Sequence, residues 1–212
     1  MPRAARAALR DTRDSREAIF HAAAAEFAEH GFDAAGVDRI AARARVNKAM
    51  IYYHFGSKLG LYVEVLRDMF RAVGTRARSL ADGPGSPSHK LDAWVATIVE
   101  EASARPWFPP IMLRELASGI PHFDPETLGL MSDVVAAVRD MIVQGQRDGS
   151  FRTADPLLTH LTIMPTILVF FVRETALAKR PKGAPPLLAS PRSRDEFIRH
   201  MQLTVRGLLR KD

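Results

Sequence analysis

The chain has 212 residues, 47% of them hydrophobic and 25% charged, a balance that supports a sizeable core and excludes wholesale disorder. It contains no cysteine, which removes disulfides, thiolate nucleophiles and cysteine-held zinc. A net charge of +6 and a pI near 10.0 favour an acidic partner, either nucleic acid or an anionic membrane.

In chain order, the first stretch, MPRAARAALRDTRDSR, is a basic arm without the apolar centre of a signal peptide. With the absence of cysteine, this fits a reducing cytoplasm. Residues 12–30 set Ile19, Phe20, Ala23, Ala24 and Phe27 on one helical face, and Gly31 reads as a C-terminal cap. GVDRIAARA, 36–44, is a short helix with Gly36 as its N-cap and Val37, Ile40 and Ala41 inward. After a turn, Asn47 caps a second short helix from Lys48 to Phe55. Ile51 and Phe55 face inward there, and Lys48, Ala49, Met50, Tyr52 and Tyr53 face outward. Two short helices behind a longer support have helix-turn-helix organisation.

From Arg39 to Lys58 the chain carries Arg39, Arg43, Arg45, Lys48 and Lys58 and no acid. A major groove admits a helix whose side chains reach base edges, and tyrosine hydroxyls, an imidazole and lysines donate to phosphate oxygens. Met50 can meet a thymine methyl. Carboxylates are missing where they would face the phosphate backbone. Bland readings compete for single residues: Tyr53 as half core, His54 as a helix-end cap. For Lys48 no structural task is visible.

Residues 57–81 read as a long linking helix with Leu61, Val65, Leu66 and Met69 inward, and DGPGSPS, 82–88, as a loop. The next helix is 89–104, with Leu91, Trp94, Val95 and Ile98 at helical spacing. RPWFPP breaks it, and a short helix follows at 111–119. Asp124 caps a helix through about Arg147, ended by Gly149. Pro156 opens another to about Lys179, kinked at Pro165. RPKGAPPLLASP, 180–191, is a proline-rich connection, and 193–210 is the last helix. No strand pattern or repeat appears, so the fold class is all-α.

Residues 17–66, above all the stretches AAAEFAEHGFDAAGVDRIA and IYYHFGSK, resemble the DNA-binding domain of the TetR family of transcriptional regulators. The resemblance implies a three-helix DNA-binding domain at 1–56 and a larger ligand-binding and dimerisation domain at 57–212. It implies a homodimer on a palindromic double-stranded DNA operator, most simply a repressor released by a small molecule. Carried over residue by residue, base contacts fall on Lys48, Ala49, Met50 and Tyr52, and phosphate contacts on Tyr53, His54 and Lys58, with Asn47 opening the helix. Four residues at three sites depart from the family pattern. Arg45 stands where glycine is usual, so the turn is reshaped or Arg45 adds a phosphate contact. Ala35 and Gly36 replace hydroxylated residues, leaving only the free backbone N–H groups of the helix for phosphate. Met50 replaces a small or hydroxylated residue.

The C-terminal half carries softer expectations. Trp107, Phe108, Met112, Phe123, Met131, Met164, Phe170 and Phe171 cluster around helix breaks and suit an apolar pocket, with Arg114, Glu115, His122 or His160 as its polar groups. The competing reading makes each large apolar residue simply core. The run Leu161 to Val172 is too short for a bilayer and apolar nearly all round, so it needs cover from a partner as well as from its own core. Leu161, Leu168 and Val172, with Phe197, Met201 and Val205 of the last helix, are the expected dimer residues; the alternative is that both helices pack only internally. No metal-ligand spacing, phosphate loop or nucleophile elbow appears, so no enzyme, metal or cofactor is expected. A membrane-surface role fits poorly, because the basic residues sit on a compact motif and not on a long amphipathic face.

Overall fold

The computed structural model of the chain describes residues 3–178 and 192–211. Those residues form helices and connecting turns, with no strand among them. The helices are α1 (Arg3–Ala34), α2 (Val37–Ala44), α3 (Lys48–Phe55), α4 (Lys58–Asp82), α5 (Pro87–Ala104), α6 (Phe108–Ala117), α7 (Pro125–Arg147), α8 (Pro156–Ala178) and α9 (Arg194–Leu209). The proline-rich connection expected at 180–191 lies outside the described residues.

Local chemistry sets most of the boundaries. Gly31 leaves helical geometry at φ 75° and ψ 174°, so the continuous part of α1 stops at the expected cap. At the other end, α1 begins at Arg3, well before residue 12, so the basic arm is itself helical. Asn47, Ser57, Ser86, Asp124 and Ser193 each accept a backbone N–H from the first turn that follows, which satisfies one of the helix's orphan donors. Ser193 and Glu196 complete a reciprocal capping box.

One proline expectation needs correction. Pro109 and Pro110 are not part of the break: they lie in the first turn of α6, where a missing N–H costs nothing. The break is confined to 105–107. Pro165 lies inside α8, which continues through it. The resulting 23-residue helix is long and apolar enough, by length and composition, to cross a membrane. Its buried face, including Ile163, Ile167 and Leu168, instead packs on α5, α6 and α7.

Two cores result. In the first, Ile19, Ala23 and Phe27 of α1 meet Ile40, Ile51, Leu61 and Leu66, and Ile111 of α6 joins them. In the second, Met69, Val73, Trp94, Ile98, Val138, Met141, Ile163, Met201 and Val205 fill the space between α4, α5, α7, α8 and α9. Helix α4 is shared: its first two turns belong to the first core and the remainder to the second. Along α7 it is tied by ion pairs from Arg67 to Asp124, from Arg71 to Glu126 (3.0 Å) and from Arg78 to Asp140 (2.9 Å).

Candidate nucleic-acid interface and apolar cavity

The turn between α2 and α3 holds a backbone conformation that favours glycine. Arg45 occupies the left-handed region at φ 57° and ψ 40°, where its N–H and that of Val46 donate back to Ala42 and Ala41. An L-residue there brings Cβ against the following carbonyl, which costs about 1–2 kcal/mol. The exposed guanidinium is therefore held at the foot of α3. Asn47 Oδ1 accepts from Ala49 N–H at 2.9 Å, and Ile51, fully buried, anchors the helix to α1 and α4.

That anchoring decides what α3 presents. Tyr53 is 73% exposed and Tyr52 46%, so Tyr53 is not core. Ala49 is exposed, while Met50 is half-buried against the first core and not fully outward. Lys48 does have a partner: its Nζ lies 2.9 Å from Asp38 of α2, which raises its pKa by hydrogen bonding. Both groups are solvated, so the pair is weak and readily exchanged for phosphate.

Three expected phosphate contacts also hold the domain together. His54 Nε2 is 2.9 Å from Ser15 Oγ of α1. Lys58 Nζ donates to Asp33 O at 3.1 Å and sits 4.7 Å above the centre of the Phe32 ring. The Gly36 N–H is not free for phosphate, because it donates to Glu26 Oε1 at 3.2 Å. Burial pushes the Glu26 carboxyl up, but hydrogen bonds from Arg39 and Gly36 outweigh it and leave its pKa lowered.

A solvent-facing helix with two exposed tyrosines, carried by a second short helix on an α1 support, is the geometry of a DNA reader. Residues 19–65 match the pattern of bacterial regulatory proteins of the tetR family. The chain is 31% identical over 159 residues to the HTH-type transcriptional repressor NicS of Pseudomonas putida, covering 74% of each. This chain belongs to the TetR family. It is a ligand-responsive, DNA-binding transcriptional regulator, not an enzyme. The HTH-type transcriptional repressor SCO4008 of Streptomyces coelicolor is 33% identical over 153 residues, 70% of this chain and 73% of that one. The fold is that of the ketosteroid transcriptional regulator KstR2 of Mycobacterium tuberculosis, with a TM-score of 0.72 at 24% identity over 93% of this chain and 95% of that one.

In the C-terminal bundle of this regulator, α4, α6, α7 and α8 line a partly open, apolar cavity of about 220 Å³. Of the expected pocket residues, Phe108, Met112, Met131, His160 and Met164 meet there. Met69, Phe70 and Val73 of α4, Leu116 of α6, Val134 and Val135 of α7, and Leu157, Leu161, Pro165 and Leu168 of α8 complete the wall. In the sequence Met69 shows only a helical inward face, and Leu161 and Leu168 read as dimer residues. The His160 Nδ1 is buried without a hydrogen-bond partner, and burial pushes the ring's pKa down to about 4. A larger space of about 690 Å³ between α1, α4 and the α5–α6 turn is an open cleft, in which Arg16 pairs with Glu64 and Arg105 with Asp68.

Trp107, Arg114 and His122 do not line the cavity. They sit at the junction between the two cores. Trp107 meets Phe20 of α1 edge-on at 6.0 Å. Arg114 Nη1 donates to the carbonyls of Ala28 (2.7 Å) and Phe27 (3.3 Å). Those carbonyls lie in the last turn of α1 before Gly31, so Arg114 of α6 adds a donor at the end of that helix. Glu115 Oε1 accepts from the Tyr62 hydroxyl at 2.7 Å and lies 2.8 Å from His122 Nδ1. Burial and this carboxylate push the Tyr62 phenol up. Beside them Ile120 stands at φ 53°, strained for a β-branched residue, with its N–H on Glu115 O at 2.7 Å. Phe123 meets Phe70 edge-on at 5.7 Å, whereas Phe170 stacks on Phe197 of α9 at 3.8 Å and Phe171 packs edge-on to Phe170, so neither lines the cavity.

The expected dimer residues divide. Leu168, Met201 and Val205 are buried in the chain's own core and are not available to a partner. Val172 and Phe197 are half-buried, and Leu161 is exposed. The large apolar side chains that α8 leaves exposed are Leu157, Leu158, Leu161 and Val169, and the last three, with Pro165 and Val172, follow a three-to-four-residue spacing. Leu203 is its exposed counterpart on α9.

Proposed function

We propose that this regulator is a homodimeric repressor that binds a palindromic operator through α3 and is released when a small molecule fills the α4–α6–α7–α8 cavity. Tyr52, Ala49 and the free end of Met50 read bases. Arg45, Lys48, Tyr53, His54 and Lys58 fix the register on phosphates. The stripe Leu158, Leu161, Pro165, Val169 and Val172 pairs with its copy, giving two reading heads for two half-sites. The relatives NicS and SCO4008 are repressors by name, which supports the sign of the regulation. Such a protein works in the cytoplasm, where its DNA is.

One observation carries the switch. Helix α6 presents Met112 and Leu116 to the cavity and Arg114 and Glu115 to the DNA-binding domain. A molecule that displaces the first pair moves the second. Because α4 lines the same cavity and enters the first core, the two heads shift together. Operator and effector then weaken each other by the same factor, commonly about 5–150-fold. The test begins by selecting bound duplexes from a random pool. Operator binding and its release by a bound small molecule are then compared in the native protein and in Arg114→Met. The variant should bind the operator within about threefold of native and respond to the molecule far less. Full release in Arg114→Met would dismiss α6 as the transmitter.

A further inference from the structure

The cavity's chemistry is narrow. Among the described residues no lysine, arginine, aspartate or glutamate lines it, and the only lining side chain with a nitrogen to offer is His160. That imidazole is 9% exposed, and its Nδ1 has no partner. A buried polar atom left unpaired is costly, and helix α8 could carry leucine or phenylalanine here without that cost. The rest of the wall is methionine, leucine, valine, phenylalanine and proline.

We infer that the effector is an uncharged, mainly apolar molecule of roughly ten non-hydrogen atoms that sets one hydroxyl or ketone oxygen against the His160 ring. This rests on the cavity being the effector site. The size follows from volume: an engineered apolar cavity of about 150 Å³ holds benzene, and this one is about 220 Å³. The neutrality follows from the wall, since a charge set against it gives up water and finds no partner there. His160 does not supply one. With its pKa near 4, about one ring in a thousand is protonated at pH 7, so a carboxylate or phosphate finds no counter-ion. An ammonium finds two phenylalanine rings and no carboxylate. A neutral imidazole has one donor nitrogen and one acceptor nitrogen, so it serves a hydroxyl or a ketone equally well.

Four probes of one shape test this: butylbenzene, 4-phenylbutan-2-one, 4-phenylbutan-2-amine and 3-phenylpropanoate. Their binding to the full chain at neutral pH is measured by titration calorimetry. The ketone is expected to bind tightest, up to about tenfold tighter than butylbenzene, the factor a single hydrogen bond supplies. The amine and the carboxylate should bind at least about a hundredfold more weakly than the ketone. In His160→Phe the ketone should lose its advantage over butylbenzene while the hydrocarbon still binds; His160→Leu replaces that variant if it does not fold. A carboxylate or amine that binds as tightly as the ketone would overturn the neutral class. A ketone advantage that survives loss of the imidazole would overturn the part given to His160. Failure of all four probes to bind at millimolar concentration would remove the cavity itself as a ligand site, and this inference with it.

Discussion

Replacing Arg45 by glycine is expected to make the protein more stable and a weaker operator binder at once. The residue is held at φ 57° and ψ 40° with an exposed side chain. The strain of an L-residue there is about 1–2 kcal/mol, and glycine escapes it. Glycine also has more backbone freedom to lose on folding, which takes back about 0.5–1 kcal/mol. The net gain is therefore about 0.5–1 kcal/mol, which for a chain of this size raises Tm by about 1–4 °C. Arg45→Ala is the control, because it removes the same guanidinium but keeps Cβ and so keeps the strain. Its Tm should match the native protein. Both variants should lose one phosphate contact per half-site, and the slope of log affinity against log salt should flatten by about two for the dimer. Scanning calorimetry measures the first effect, and fluorescence anisotropy on a labelled operator across a salt series measures the second. If the glycine variant were no more stable than the alanine variant, the argument from backbone strain would be wrong. An unchanged salt slope in both would remove Arg45 from the phosphate contacts.

Two further outcomes are expected. Between about pH 6.5 and pH 4 the unfolded chain accepts a proton at His160 that the folded chain resists, so this contribution is full above 6.5 and is lost as the pH falls towards 4. It amounts to about 3 kcal/mol, and urea unfolding at neutral and acid pH should show a correspondingly shallower acid loss in His160→Phe; equal losses in the two proteins would contradict the burial of a neutral ring. On α8, Val169→Arg alters a 54% exposed side chain and should give folded monomers that hold the operator weakly, whereas Leu168→Arg puts a charge where the side chain is 3% exposed and should prevent folding. Sedimentation velocity separates the two cases, and stable dimers of Val169→Arg would dismiss the proposed stripe.

Much of the fold is legible one turn at a time. Asn47, Asp124 and Gly31 announce helix ends because a cap acts on N–H and C=O groups two to four residues away. The amphipathic faces of α1 and α4 are legible because their polar sides are charged. The reading helix is legible from Ile51, whose burial turns Tyr52 and Tyr53 outward. The cavity was legible only in part. Phe108, Met112 and Met164 stood out as large apolar residues near helix breaks. Met69, on the ordinary inward face of a long helix, gave no sign that space lay beside it. Arg114 and His122 misled for a related reason: polar groups near an apolar cluster suit a pocket, and nothing local shows that their partners are carbonyls of Phe27 and Ala28 or the carboxylate of Glu115.

The sequence by itself determined an all-helical chain, the register of its helix-turn-helix, its family, and the exposed tyrosines that face DNA. These properties depend on contacts within a few residues or on a residue pattern with one sensible folding. Only the tertiary structure decided which side of α8 is core. A helix that is apolar all round has no polar face to orient it, so Leu168 and Val169 look alike in sequence, and packing against α5, α6 and α7 buries one and leaves the other open. The same holds for α6. The tie between Tyr62 and Glu115 spans 53 residues, and the tie between Arg114 and Ala28 spans 86. Local propensity carries no information over that separation; the packing of whole helices brings these groups within hydrogen-bonding distance.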